Sequence, residues 1–184
     1  MMNTTFDLQP TLENKIILLK PLKEEHFEDL YRVASDPLLW QQHPSKDRYR
    51  RDVFELFFKD AIASGGAFAV IDNETGQLIG STRFHKVKEA ENAIEIGWTF
   101  LDRKYWGGHF NGAMKKLMLD HAFQFVDNVL FYIGEQNLRS QKAVEKIGGK
   151  RIVALNGVAL EERSNASVIY HITKKNWEEK QNSV

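Results

Sequence analysis

Three groups of residues in this 184-residue chain have the types and spacing to do chemistry. The first is the turn around Gly107, Gly108 and Gly112, which separates an alternating apolar segment from a run with helical periodicity. A helix N-terminus leaves backbone N–H groups unpaired and partly positive, and glycines let a phosphate approach that backbone closely. The turn therefore reads either as an anion cradle or as a strand-to-helix connection whose glycines only supply unusual dihedrals. The second is Glu95, the one carboxylate in the alternating segment, assigned by period two to the face opposite Ile94, Ile96, Trp98 and Phe100. A carboxylate so placed reads as a proton acceptor or as a cross-strand partner of Arg83. The third is Asn137 with Ser140, at the start of a short helical run. There Asn137 fits an N-cap and Ser140 an ordinary polar residue of a first turn.

Other chemistries find little support. His26, His43, His85, His109, His121 and His171 show no pairing with carboxylates at metal-ligand spacing, so no metal is expected. The absence of cysteine removes disulfides, thiolate metal sites and a Cys nucleophile together, and suits a reducing compartment. No Gly-Lys-Ser or Gly-Lys-Thr ends the turn, against a P-loop nucleotide enzyme. Lys plus Arg equals Asp plus Glu at 25 each, so no global field favours a nucleic-acid partner. No apolar run has signal-peptide or membrane-span character, which makes the cytoplasm the expected location and a membrane partner unexpected. Asn3-Thr4-Thr5 and Asn165-Ala166-Ser167 match the glycosylation sequon but would need a secretory route.

The elements that must position these residues follow from periodicity. Ile94, Ile96, Trp98 and Phe100 alternate with Ala93, Glu95, Gly97 and Thr99, a strand; from Asn111 onward Met114, Leu117, Met118, Ala122 and Phe125 recur at helical spacing. Lys115, Lys116, Asp120 and Gln124 fall off that apolar face. Upstream, residues 1–14 read as a loose arm, Ile16 to Leu19 as a short strand, and Glu24 to Ala34 and Arg51 to Ala63 as helices. Between the helices, the unusual loop LLWQQHPSKDRYR carries Trp40, Gln42 and His43. Ala67 to Ile71 and Leu78 to Val87 form a hairpin, and a second turn at 89–92 leads into the central strand. Downstream come a strand from Val129 to Ile133, a helix from Asn137 to Ile147 closed by Gly148-Gly149, and strands Arg151 to Leu155 and Ser167 to Thr173 joined by a polar loop. The pattern is one α+β domain over 1–184: a mixed, mostly antiparallel sheet with a central right-handed β-α-β crossover and helices on both faces.

Four stretches in this order resemble the GNAT superfamily of N-acetyltransferases, in its RimJ/RimL-like branch: IGSTRF at 79–84, EIGWTFL at 95–101, YWGGHFNGAMKKLML at 105–119 and NLRSQKAVEKIGG at 137–149. The terminal VIYHITKKNW, 168–177, is similar to that branch's closing strand and tryptophan. The resemblance covers nearly the whole chain. It departs from the superfamily turn at three positions, where Trp106, His109 and Asn111 stand for Gln or Arg, Gly, and Gly or Ala. His109 reads equally as a phosphate contact and as a surface imidazole.

The resemblance implies acetyl-CoA as cosubstrate and an amine acceptor, possibly a protein N-terminus, in a monomer or homodimer. It implies a cofactor site from Thr99, Phe100, Leu101, Trp106, Gly107, Gly108, His109, Phe110, Asn111, Gly112, Asn137 and Ser140, with Ser140 near the thiol. An ammonium is no nucleophile, so a base is needed, and Glu95 is the candidate, with His171, His43 or ordered water as substitutes. Where the strand 95–101 splays from the strand at Val129, a backbone N–H near Thr99 or Phe100 would bind the acetyl carbonyl. Acetyl would then pass directly to the amine in a ternary complex. The family's acceptor pocket maps onto Trp40, Gln42, His43, Arg83 and Phe84, although Trp40 reads first as core packing. A protein N-terminus, an amino acid, a polyamine or an aminoglycoside all fit. The competing reading is a non-catalytic module that binds CoA or a peptide as a sensor.

Overall fold

The computed structural model describes residues 5–88, 90, 92–160 and 167–182. Eight strands form one sheet in the order β1 (Leu12–Glu13), β2 (Ile17–Pro21), β3 (Ala67–Asp72), β4 (Leu78–Lys86), β5 (Ala93–Leu101), β6 (Asn128–Gly134), β10 (Ser167–Thr173) and β7 (Lys150–Ile152). Every neighbouring pair is antiparallel except β5 and β6, which run parallel and are joined by α3 (Phe110–Ala122). This is the α+β sheet and the single crossover that the periodicity predicts. Its parallel ladder is short: Ala93, Ile94 and Glu95 pair with Asn128, Val129 and Leu130, and beyond Glu95 the strands part.

Alternation along β3 divides the molecule into two layers. Phe68 and Val70 point to one face with Ile94, Ile96, Met114, Met118 and Leu119, where α3 packs, and Ala67 and Ala69 point to the other. On that second face α1 (Phe27–Ala34) and α2 (Arg51–Ala63) bury Leu30, Phe54, Phe57 and Phe58 against the sheet. The remaining helices are α4 (Leu138–Lys146) and α5 (Lys174–Asn182); Val144 and Trp177 carry them onto the α3 face.

Tertiary structure corrects two expectations, the loose arm and the strand at 151–155, and adds detail to two others. The loose arm is ordered over its described part: β1 pairs with β2, and Phe6 packs edge-on to Phe84 and His121 in the core. The loop after α1 contains a tight 3-10 turn, Pro37–Trp40, because the Asp36 carboxylate accepts from the Leu38 N–H. The strand expected at 151–155 is two pieces, β7 and β8 (Ala154–Leu155), and β8 pairs only with β9 (Val158–Ala159) across a turn where Asn156 and Gly157 take positive φ. The closing tryptophan lies on α5, its Nε1 donating to Asp120 Oδ1 on α3 at 2.9 Å. The polar loop 161–166 and both sequons lie wholly or partly outside the described residues, as do Glu89 and Glu91 of the second turn.

Candidate active site

The site is built around a fault in β5. Ser81 pairs with Phe100 and Arg83 with Gly97, so two residues, Trp98 and Thr99, face the single Thr82. Trp98 takes a φ of 51°, costly for an aromatic residue and characteristic of a bulge that aims side chains in new directions. Alternation therefore fails at Trp98. Ile94 and Ile96 face the α3 layer, and so do Thr99 and Leu101, whereas Trp98 and Phe100 turn to the α1–α2 layer. Trp98 and Phe100 thus share the face of Glu95 instead of opposing it, which corrects the period-two reading.

The bulge sits where β5 has left β6, so backbone there lies beside a cleft instead of a neighbouring strand. Around it the structure gathers Glu95, Thr99, Phe100 and Arg83. Glu95 is only 2% exposed and leans along its strand: a Cβ at Gly97 would lie 3.0 Å from its Oε1. The glycine gives the carboxylate room to lie toward the bulge. Arg83, also 2% exposed, does not take Glu95 as its ion pair; its Nη1 donates to Asp60 Oδ2 on α2 at 2.8 Å, and its guanidinium lies 4.5 Å from the Trp98 ring. Burial lowers its pKa, with Asp60 and Glu95 opposing the shift.

On the far side of the cleft, Asn137 caps α4, its Oδ1 accepting from the Ser140 N–H at 3.3 Å. The cap engages the serine's backbone N–H and not its hydroxyl. Arg139 clamps the surroundings together: it stacks 3.7 Å from the Trp106 ring, donates to Leu39 O and, through its backbone N–H, to Gln42 Oε1. Trp106 in turn donates to Leu101 O, so its indole anchors the turn. Sequence reasoning passed over Arg139 because a cation one residue before Ser140 looks like an ordinary helix-surface residue.

The turn before α3 has the character of an anion site. Gly107 takes a φ of +71°, and α3 opens at His109 without any side-chain cap, which leaves its first N–H groups to an external acceptor. His109 is exposed and stacks on Phe110 with ring centroids 4.7 Å apart, which fits the surface-imidazole reading. Gly108 has an ordinary φ, and a Cβ there would find its nearest neighbour, Phe110 Cδ2, 4.0 Å away. Asn111 and Gly112 lie in the first turn of the helix.

The early loop closes the site on the α1–α2 face. Trp40 is 2% exposed, donates through Nε1 to Ala34 O, and packs 5.1 Å from Phe100, so packing accounts for it. His43 accepts from the Ser45 N–H at Nδ1 and sits 3.4 Å from Arg48 Nη1; burial, with Arg48 nearby, pushes its pKa down to about 4. It is neutral and too weakly basic to deprotonate an ammonium, which removes it as a substitute base. His171 bonds Asn128 Oδ1 on the paired side of the cleft, two strands from Glu95, and burial lowers its pKa as well. Arg48, unremarked in the sequence, lies between the rings of Trp40 and Phe57, 5.0 and 4.3 Å away. Burial and then Arg83 push its pKa to about 10, so it remains cationic at neutral pH.

Lys115 was also missed. Helical spacing put it off the apolar face, yet it is 4% exposed, with Nζ 2.7 Å from Thr99 Oγ1 behind the bulge. No group of His, Asp and Glu able to hold a metal occurs among the described residues, and no described helix is long and apolar enough to cross a membrane.

The family model of the GNAT acetyltransferase domain matches residues 17–150. The chain belongs to the GNAT acetyltransferase family. No curated protein sequence matches it. Among solved structures, a GCN5-related N-acetyltransferase from Brucella melitensis superposes with a TM-score of 0.77 at 19% identity, over 92% of this chain and 81% of the other. Spermidine N-acetyltransferase from Vibrio cholerae, in complex with CoA and spermine, gives 0.66 at 14% over 90% and 99%. Mycobacterium smegmatis RimJ, in complex with CoA-disulfide, gives 0.65 at 16% over 90% and 87%. These likenesses establish the GNAT fold, whose acetyltransferases use acetyl-CoA.

Proposed function

We propose that this GNAT protein moves an acetyl group from acetyl-CoA directly to a primary amine in a ternary complex, as a RimJ/RimL-like N-acetyltransferase. The observation that carries the reading is the bulge at Trp98–Thr99, placed where β5 and β6 part and next to the uncapped start of α3. The α3 N-terminus with Gly107 and Gly108 would hold the pyrophosphate, and the parted strands would receive the pantetheine arm beside Asn137.

Chemistry then follows from the neighbours of the bulge. Glu95 accepts a proton from the ammonium, directly or through one water. The amine attacks the thioester carbon, and a backbone N–H near Thr99 or Phe100 supports the oxyanion. On collapse the C–S bond breaks, and Ser140 helps deliver a proton to the departing sulfur. Arg83 and His43 flank the acceptor side. Thiol release from acetyl-CoA in the presence of mixed amines tests the reading; CoA binding without thiol release for any amine would instead indicate a sensor, an outcome consistent with His109 and Asn111 in the turn.

Two expected results separate the parts of this site. Gly108→Val should fold normally, since its Cβ enters open space, yet weaken acetyl-CoA binding about tenfold or more by keeping phosphate off the backbone. Unchanged affinity by calorimetry would place the phosphates elsewhere. Ser140→Ala retains the backbone N–H that Asn137 caps, so stability should change little while kcat falls more than cofactor affinity. A loss of affinity at normal turnover would reduce Ser140 to a binding contact.

A further inference from the structure

Arg83 presents an unusual accounting of hydrogen bonds. It carries five N–H donors on a fixed plane, and Nη1 spends its contact on Asp60, whose carboxylate reaches in from α2. The other two nitrogens, Nε and Nη2, are buried with no hydrogen-bond partner. Leaving donors of a charged group buried and unsatisfied is expensive, and native proteins rarely tolerate it without a reason. Nε and Nη2 share one edge of the guanidinium, the edge that meets both oxygens of a carboxylate through two parallel bonds. The unsatisfied pair is therefore a fork of defined shape. Phe57 holds it in place from one side, 5.9 Å from the guanidinium carbon, while Trp98 of the bulge lies 4.5 Å away.

A second cation stands on the same aromatic group. Arg48 lies 4.3 Å from the Phe57 ring, with the neutral His43 ring 3.4 Å from its Nη1 and Ser45 Oγ accepting from its Nη2. Among the described residues it makes no direct ion pair, and Asp47 and Asp60 act on its charge from farther off. Two guanidinium groups thus share Phe57 and the repulsion between them, offset by Asp60, which bonds Arg83 from a position where its side chain is 67% exposed, and less directly by Glu95 and Asp47. Glu95 lies on the same face of β5, toward the bulge. The face accordingly offers a carboxylate for an ammonium and a guanidinium fork for an anion.

We propose that the acceptor is an amine that carries a carboxylate close to its amino group, a small amino acid in chemical class, with Arg83 and Arg48 binding the carboxylate while the amine meets Glu95. This rests on the acetyltransferase reading. A polyamine carries no anion and would leave the Nε–Nη2 edge unmet.

The test uses the full-length protein and matched acceptors: amino acids, their carboxamides, and the amines left when the carboxylate is removed, with spermidine alongside. In thiol-release assays with acetyl-CoA the acids should exceed their amides in kcat/KM by about tenfold or more, as expected for loss of a bidentate charged contact. Arg83→Lys keeps the charge and loses the fork, and Arg48→Met removes a half-buried cation; in each the acid-to-amide ratio should collapse. Equal turnover of acids and amides, or a preference for spermidine, overturns the proposal and leaves acetyl transfer standing. If no amine is acetylated, calorimetry of an amino acid and its amide against the CoA-saturated protein decides separately. Tighter binding of the acid sustains the carboxylate site without the transferase, and equal or absent binding overturns it.

Discussion

Replacing Lys115 with Met is expected to stabilise the protein at neutral pH, and by less and less as the pH is raised toward 10. Lys115 is 4% exposed on α3, and its Nζ contacts Thr99 Oγ1 at 2.7 Å and Thr82 Oγ1 at 3.5 Å, with the Phe131 ring 5.8 Å away. Every one of these neighbours is uncharged, and burial alone pushes the amine from 10.5 to about 7. The folded-state pKa is below the unfolded one, so between these values the unfolded chain binds more protons and stability rises with pH. Below pH 7 both states are protonated and the full cost of burying the charge applies, roughly 4 to 5 kcal/mol at 1.36 kcal/mol per pH unit. Above about 10.5 both are neutral and the cost vanishes.

Methionine fills a similar volume without charge but gives up the hydrogen bond to Thr99, worth about 1 kcal/mol. Thr99 and Thr82 still bond each other at 2.8 Å, which limits that loss. The net expectation is a gain of roughly 3 kcal/mol near pH 6 to 7, or a Tm higher by about 6 to 12 °C for a chain of this size. Denaturant melts of wild type and Lys115→Met at pH 6, 8 and 10 would measure it. A variant less stable than wild type at pH 6, or a difference that does not shrink toward pH 10, would show that the amine does not bear this cost.

Lys115 also shows where the sequence stops being legible. Period 3.6 on α3 located Met114, Met118 and Ala122 correctly in the core, because each buries apolar area whatever its neighbours are. Nothing in that pattern signals a lysine held inside by two threonines from other strands, since the compensation lies in β4 and β5. The same holds for the bulge. Alternation identified β5 and its apolar members, and the Gly-rich turn and the Asn137 cap were visible as local chemistry at fixed offsets. The positive φ at Trp98 arises from a register shift against β4, which no local spacing encodes. Consequently the elements around the site were legible, while the face on which Trp98 and Phe100 lie was not. Arg48 and Arg83 follow the same rule: one lay in a loop read only as unusual, and the other was matched to Glu95 on a neighbouring strand when a helix carboxylate, Asp60, takes its Nη1.

The proposed base carries the other large effect. Glu95→Gln should lower kcat/KM by about 100-fold or more near neutral pH while acetyl-CoA affinity is retained, because the amide keeps size and shape but cannot accept a proton. The geometry favours this over a purely structural glutamate on two counts. Arg83, the cross-strand partner a structural role would use, gives its Nη1 to Asp60 at 2.8 Å, and Glu95 acts on Arg83 through charge alone. The carboxylate also lies over Gly97 toward the bulge, and the bulge has turned Trp98 and Phe100 onto the same face, the face where the proposed acceptor would sit. His43, the alternative nearest this face, is held at a pKa of about 4 and binds no proton where an amine is half ionised. The variant should recover part of its rate as the pH rises, since free amine then no longer depends on a protein base. Rate profiles from pH 6 to 10, with stability followed in parallel, test the assignment. Normal turnover of Glu95→Gln across that range would remove Glu95 from the mechanism, and a loss of rate that tracks unfolding would return it to the scaffold.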